Sequence, residues 1–150
     1  MATREELLRL TTEEFAFFLE MGECELEIVE PNTLLTLVAY KFTTIAVELQ
    51  FDWRDLDVTC CVSKPTDGRL PEGYLLREGV RIRFRLGDLT TDVLAKFRQL
   101  PQPPKRRPPL DEWADRQSAR MADYIRIYAG ILKSDFAELR SKAEAGFYPK

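Results

Sequence analysis

The chain contains no histidine, and that absence excludes more than any single residue type supports. Without imidazole there is no Ser-His or Cys-His nucleophile pair, and no side chain that titrates unperturbed between pH 5 and 8. Catalytic zinc sites nearly always use it as well. Chemistry would fall to carboxylates, lysine or tyrosine alone. Cysteine is scarce too: Cys24, Cys60 and Cys61 are an odd set without regular spacing, so they make no disulfide framework and no CxxC. Cys60 and Cys61 are neighbours in a strand-like stretch, point to opposite faces, and are expected as two reduced thiols. The seven glycines are scattered, with no GxGxxG and no GxxxxGK[ST] to cradle a phosphate. Apolar runs such as 45–47 fall far short of a membrane span of about 20 residues. Residues 1–10 carry early acids and lack an apolar core before a cleavage site, so they do not read as a signal peptide. The expectation is a cytoplasmic protein that is not an enzyme and holds no cofactor and no metal.

What is present is the composition of an ordinary globule: 150 residues, 45% hydrophobic and 31% charged. That length supports one domain, 1–150, with a real core. The net charge of −3 hides a strong asymmetry. Residues 1–60 hold thirteen acids against four bases, a balance of −9, and residues 61–150 hold twelve acids against eighteen bases, a balance of +6. Such polarity suits a self-complementary fold or two faces with different partners.

Alternation of apolar and polar residues runs through 33–86 and predicts an antiparallel sheet with one apolar face. The cleanest stretch is 80–86, with Val80, Ile82, Phe84 and Leu86 on one side and Arg81, Arg83 and Arg85 on the other. Earlier strands are expected at 23–30, 33–41 and 43–51, with Pro31 and Asn32 as a turn. Ile45, Val47, Leu49 and Phe51 face one way, and Ala46, Glu48 and Gln50 the other. A fourth strand points Leu56, Val58, Cys60 and Val62 inward. Five or six strands in consecutive hairpins make a meander.

Helices flank this sheet. Thr11 with Glu14 three residues on predicts an N-terminal helix start, with Phe15, Phe18 and Leu19 on one face and Gly22 as the stop, after a helical turn over 5–10. Asp88 or Thr90 starts a short helix with Val93, Leu94 and Phe97 on one side. Five prolines in 101–109 forbid helix and sheet ladder and predict an extended linker. Asp111 then opens a long helix with an apolar stripe of Trp113, Met121, Tyr124, Tyr128 and Ile131, flanked by Ile127. A break near Ser134 separates a second helix over 135–145. The fold class is therefore α+β: an N-terminal helix and a sheet core in 1–100, a proline linker at 101–109, and helices in 110–150 as a lid on the apolar sheet face.

Four clusters are candidates for function. Asp52, Asp55 and Asp57 at a strand turn carry the hard oxygen ligands Ca²⁺ or Mg²⁺ would need, but the turn lacks the glycine and the bidentate acid of a calcium loop. A polar turn is expected instead, with Asp52 capping backbone N–H groups and Arg54 pairing with an acid. Arg81, Arg83 and Arg85 form a ladder of positive charge on the open sheet face that could grip phosphates, RNA or an acidic protein, or pair with acids across the sheet. Lys105, Arg106 and Arg107 make a basic patch in the linker, without the interleaved aromatics of a nucleic-acid site. Glu13, Glu14, Glu20, Glu23, Glu25, Glu27 and Glu30 form an acidic run, either a solvated face or a docking surface for a basic protein. Trp53, read as an exposed aromatic beside the turn, is the expected anchor of such an interface.

Three phrases carry a resemblance: Leu10 to Glu20 (LTTEEFAFFLE), Ala46 to Arg54 (AVELQFDWR) and Tyr128 to Phe136 (YAGILKSDF). Together they resemble small, largely uncharacterised bacterial α+β proteins, some of which look like immunity proteins of polymorphic toxin systems. Where those families usually place Gly before Asp-Phe, this chain has Ser134, which implies a softer helix break. The resemblance implies toxin neutralisation by masking an active site, and carries over no catalytic residue.

The leading expectation is thus a non-catalytic protein-binding protein using Glu13, Glu14, Glu20, Glu23 and Trp53, with a basic toxin domain as partner. The alternative is a nucleic-acid accessory protein using Arg81, Arg83, Arg85, Lys105, Arg106 and Arg107. A carboxylate enzyme around Asp52, Asp55 and Asp57, and a homo-oligomer through the 111–132 helix, complete the set.

Overall fold

The computed structural model describes residues 1–149. The chain opens with helix α1 (Arg4–Glu14), whose start is a reciprocal cap. Glu6 N–H donates to the Thr3 hydroxyl at 3.1 Å, and Thr3 N–H donates back to the Glu6 carboxylate at 3.2 Å. The expected cap at Thr11 is corrected: Thr11 lies buried inside α1, its hydroxyl donating to the Leu7 carbonyl at 2.8 Å. The helix breaks at Phe15 and restarts as α2 (Ala16–Glu20). Gly22, in the left-handed region at φ +79°, ends it as expected.

A five-stranded antiparallel sheet follows in the order β1 (Glu25–Asn32), β2 (Leu35–Lys41), β3 (Ala46–Asp52), β4 (Asp57–Ser63) and β7 (Arg83–Arg85). The register aligns its side chains in rows. Leu26, Tyr40, Val47, Val62 and Phe84 stand side by side, as do Ile28, Val38, Leu49 and Cys60, and then Thr36, Phe51 and Val58. The expected inward sets of the third and fourth strands are all buried except Leu56, which sits in the turn at φ +50°.

This face is covered by α5 (Leu110–Phe147), which buries Met121, Ile125, Tyr128, Ile131 and Leu132, then Phe136, Leu139, Ala143 and Phe147. The two expected C-terminal helices are one helical run kinked at Asp135 (φ −121°, ψ 19°), one residue after the expected break. Ile125 and Leu132 fill the seam, while Trp113 and Tyr124 are only half-buried. The stripe of the 111–132 helix thus packs on the chain's own sheet. Ala2 N–H to Ser118 Oγ (3.2 Å) and the N-terminal ammonium to Asp115 (3.0 Å) lay α1 alongside α5. Short helices α3 (Leu86–Leu89) and α4 (Asp92–Phe97) lead into the strap, which has no regular secondary structure over 101–109. Among the described residues no helix is long and apolar enough to cross a membrane.

Two expectations about 64–86 are corrected. The arginine stretch is not one strand: β5 (Leu76–Arg77) and β6 (Val80–Arg81) form a separate hairpin, and only β7 joins the main sheet. Glu78 and Gly79 both adopt positive φ (52° and 78°), the backbone that tight two-residue hairpins require. The second face of the sheet is not simply open either. The segment between β4 and β7 lies over it, and Ala39, Ala46, Glu48, Cys61 and Ser63 are fully buried there.

Leu94, expected on the inward side of its helix, is 54% exposed, whereas Leu132 at the helix–sheet seam is fully buried. Leu132→Ala is therefore expected to cost about 2–5 kcal/mol in urea unfolding, and Leu94→Ala no more than about 0.5 kcal/mol. A larger loss at Leu94 than at Leu132 would refute this packing.

Candidate functional site

The α2–β1 corner is shaped by phenylalanine packing. Phe18 sits against Tyr40, Phe42 and Phe136 with ring centroids 5.4, 5.2 and 4.8 Å away. That pins one side of α2 to the end of the sheet and turns the other side outward. Leu19, expected to be inward, is 43% exposed, and Met21 is 49% exposed. Glu20 and Glu23 flank them in sequence, Glu13 is exposed and Glu14 half-buried at the end of α1, and Glu25 begins β1. Of the acids in the 13–30 run, only Glu27 has an ion-pair partner among the described residues, Lys41 at 2.7 Å. β1 is also the sheet's edge, paired only with β2, and its Ile28 is half-exposed. Exposed apolar side chains within a charged rim have the make-up of a protein-recognition surface.

Trp53 is not part of it. This expected anchor is 7% exposed: its indole N–H donates to Thr36 Oγ1 at 2.8 Å, its ring stacks on Phe51 at 5.1 Å, and Arg4 lies over it. The period-two series Leu49, Phe51, Trp53 continues one residue past β3, which is the signal for the core face. Spacing counted from Phe15 places Phe18 correctly but misplaces Leu19, because α2 is only five residues long and its inward side is occupied by Phe18; no signal in the sequence points to Met21.

The three arginines separate. Arg83 is buried, its Nε donating to both oxygens of buried Glu48 at 3.2 and 3.1 Å. Its other nitrogens donate to the carbonyls of Pro71 (2.7 Å), Tyr74 (3.2 Å) and Gly73. Small Ala46 and Ser63 in the same row leave room for the guanidinium to reach across β4. Arg81 is half-buried over the Phe84 ring, and Arg85 is exposed beside Tyr74, whose hydroxyl accepts from its Nε at 3.3 Å. The expected continuous ladder on an open face is therefore absent among the described residues; one rung is neutralised by an acid, as the pairing reading had it. Lys105, Arg106 and Arg107 lie exposed on the strap.

The reactive-group candidates are quiet. Burial pushes the Cys61 thiol up to about 12, with Glu48 adding to it, and carries Cys60 well above its ordinary value. Burial, and then Glu25, raise Cys24 to about 11. All three are free thiols held protonated at neutral pH, the opposite of an activated nucleophile. At the aspartate turn, Asp52 Oδ1 accepts the backbone N–H groups of Arg54 (3.0 Å) and Asp55 (3.1 Å), which is the capped polar turn. Arg54 itself has no ion-pair partner among the described residues, contrary to expectation. Among the described residues no group of three or more acid or cysteine side chains converges there as cation ligands. Comparison with family models, with curated proteins and with solved structures found no match.

Three variants check this geometry. Arg83→Met alone strands a buried carboxylate and is expected to cost about 3–5 kcal/mol, whereas Arg83→Met with Glu48→Leu regains most of the loss. Equal losses in the single and double variants would mean the pair is not isolated from water. Asp57 is raised above 3.8, first by burial and then by Asp52 and Asp55. A raised folded-state pKa favours folding at low pH, and that contribution fades as pH rises through it. Asp57→Asn should thus raise Tm at pH 7, with the gap closing as pH falls below the ordinary carboxylate value.

Proposed function

We propose that the chain is a non-catalytic, cytoplasmic protein-binding protein that docks a basic partner at the α2–β1 corner, and that toxin neutralisation is its specific role. The observation that carries this reading is the exposed pair Leu19 and Met21 in the stretch that also holds Glu13, Glu20, Glu23 and Glu25, none of which has an ion-pair partner among the described residues. Exposed apolar side chains would supply the desolvated centre of an interface, and the acidic rim would steer a cationic surface toward it. The resemblance to immunity proteins gives the partner class: a basic toxin domain such as a nuclease, whose active site must attract phosphate and is therefore complementary to carboxylates. The nucleic-acid alternative has less support, since Arg83 is neutralised by Glu48 and the acidic corner repels phosphates.

The test is capture of partners by the tagged chain from the native host, nuclease-treated, at low and moderate salt. One stoichiometric basic protein is expected, toxic when expressed alone and harmless when co-expressed with this chain. Charge reversal (Glu20→Lys with Glu23→Lys) should slow association at least about tenfold, and Met21→Ser should speed dissociation. Capture of nucleic acid alone, with nothing left after nuclease treatment, would sink the proposal and move the binding surface to the strap. So would a protein partner whose binding ignores both substitutions.

A further inference from the structure

We propose that the groove between the proline strap and the first turns of α5 is a binding site for a small organic anion with an aromatic body. It lies apart from the acidic corner and does not rest on the reading given for that corner. The groove has a cavity of about 490 Å³, within the usual range of small-molecule sites. Its existence follows from the prolines. They lack backbone N–H groups, so the strap cannot zip onto a neighbour through a hydrogen-bonded ladder. It runs extended beside the helix and leaves a slot whose apolar lining is Leu100, the exposed Pro103 and Pro104, and the half-buried Trp113.

The polar groups of the slot specify the charge of its occupant. Arg116 is satisfied by Glu112 at 2.5 Å, one helical turn away. Asp123, the one carboxylate among the lining residues, lies 3.9 Å from Arg126 outside the groove. That leaves one cation from each wall. Arg107, on the strap, has no ion-pair or hydrogen-bond partner among the described residues. Arg120, on α5, donates to the Tyr124 hydroxyl at 2.7 Å and is near enough to Asp57 to be felt there, but no carboxylate among the described residues lies within ion-pair distance of it. A bare inorganic anion would leave the apolar lining wet, and a neutral apolar molecule would leave both guanidinium groups without an anion. A flat ring against Trp113 and the prolines, with a carboxylate or sulfonate between Arg107 and Arg120, satisfies both. This gives Arg107, the member of the strap's basic triplet that lines the groove, a role that nucleic-acid binding does not supply.

The test uses the full chain and two probes with one ring system: 1-anilinonaphthalene-8-sulfonate, and neutral N-phenyl-1-naphthylamine. The expected result is saturable 1:1 binding of the sulfonate that shifts the Trp113 indole N–H resonance, assigned through Trp113→Phe, and leaves that of Trp53 in place. The neutral probe should bind at least about tenfold more weakly, and Arg107→Gln and Arg120→Gln should each weaken the sulfonate roughly three- to fivefold while leaving the neutral probe unchanged. Arg107 is exposed, so its replacement leaves folding intact. Equal affinity for both probes, indifference to both arginine variants, or an unmoved Trp113 resonance would each overturn the proposal.

Discussion

The three apolar rows on one face of the sheet are the constraint from which the rest of the architecture follows. Rows led by Leu26, Ile28 and Thr36 run across strands whose register holds them in line, and a surface of that extent cannot stay in water. Five strands twist, so a straight rod would leave the cover poorly seated. The kink at Asp135 lets α5 run on past the first seam, with Met121 to Leu132 on one side of it and Phe136 to Phe147 on the other. Tyr128 adds direction to burial, since its hydroxyl donates to the Val58 carbonyl at 3.3 Å. The strap then has a mechanical role: it carries the chain from α4 to the start of that helix.

The second face is governed by a different interaction. Glu48 and Arg83 are both buried, and a buried ion pair contributes less to net stability than to the arrangement it enforces. Here the guanidinium bonds an acid of β3 and three carbonyls of the 71–74 loop at once, so it ties an otherwise irregular segment to the sheet. The pairing has a functional consequence. It neutralises the centre of the arginine series, removing the feature that most favoured phosphate binding, and leaves the N-terminal carboxylates as the larger uncompensated charge.

The charge asymmetry of the chain thereby acquires a spatial meaning. The acids of residues 13–30 lie along the end of α1, α2 and the edge strand β1, while Lys105, Arg106 and Arg107 are exposed on the strap. Burial holds the thiols of Cys24, Cys60 and Cys61 protonated.

Much of this was legible in the residues themselves, because local pattern is a sequence property. Period-two alternation located β2, β3 and β4 and the inward sets of the last two; the proline density located the strap; the apolar spacing after Asp111 located the covering helix and its break. The α+β class followed, because a sheet with one apolar face needs a cover. The failures share a physical cause: each depended on what a side chain meets across space. Arg83 alternates like its neighbours, and only the approach of Glu48 and the 71–74 carbonyls makes it a buried bracket. Leu94 and Leu19 have helical spacing, but the packing of their short helices decides which side faces the core. Trp53 was readable as the continuation of Leu49 and Phe51, yet its burial required Thr36 from the adjacent strand to accept its indole N–H. Composition and periodicity determined which elements form; contacts between residues far apart in the chain decided which charges are neutralised and which remain free to bind.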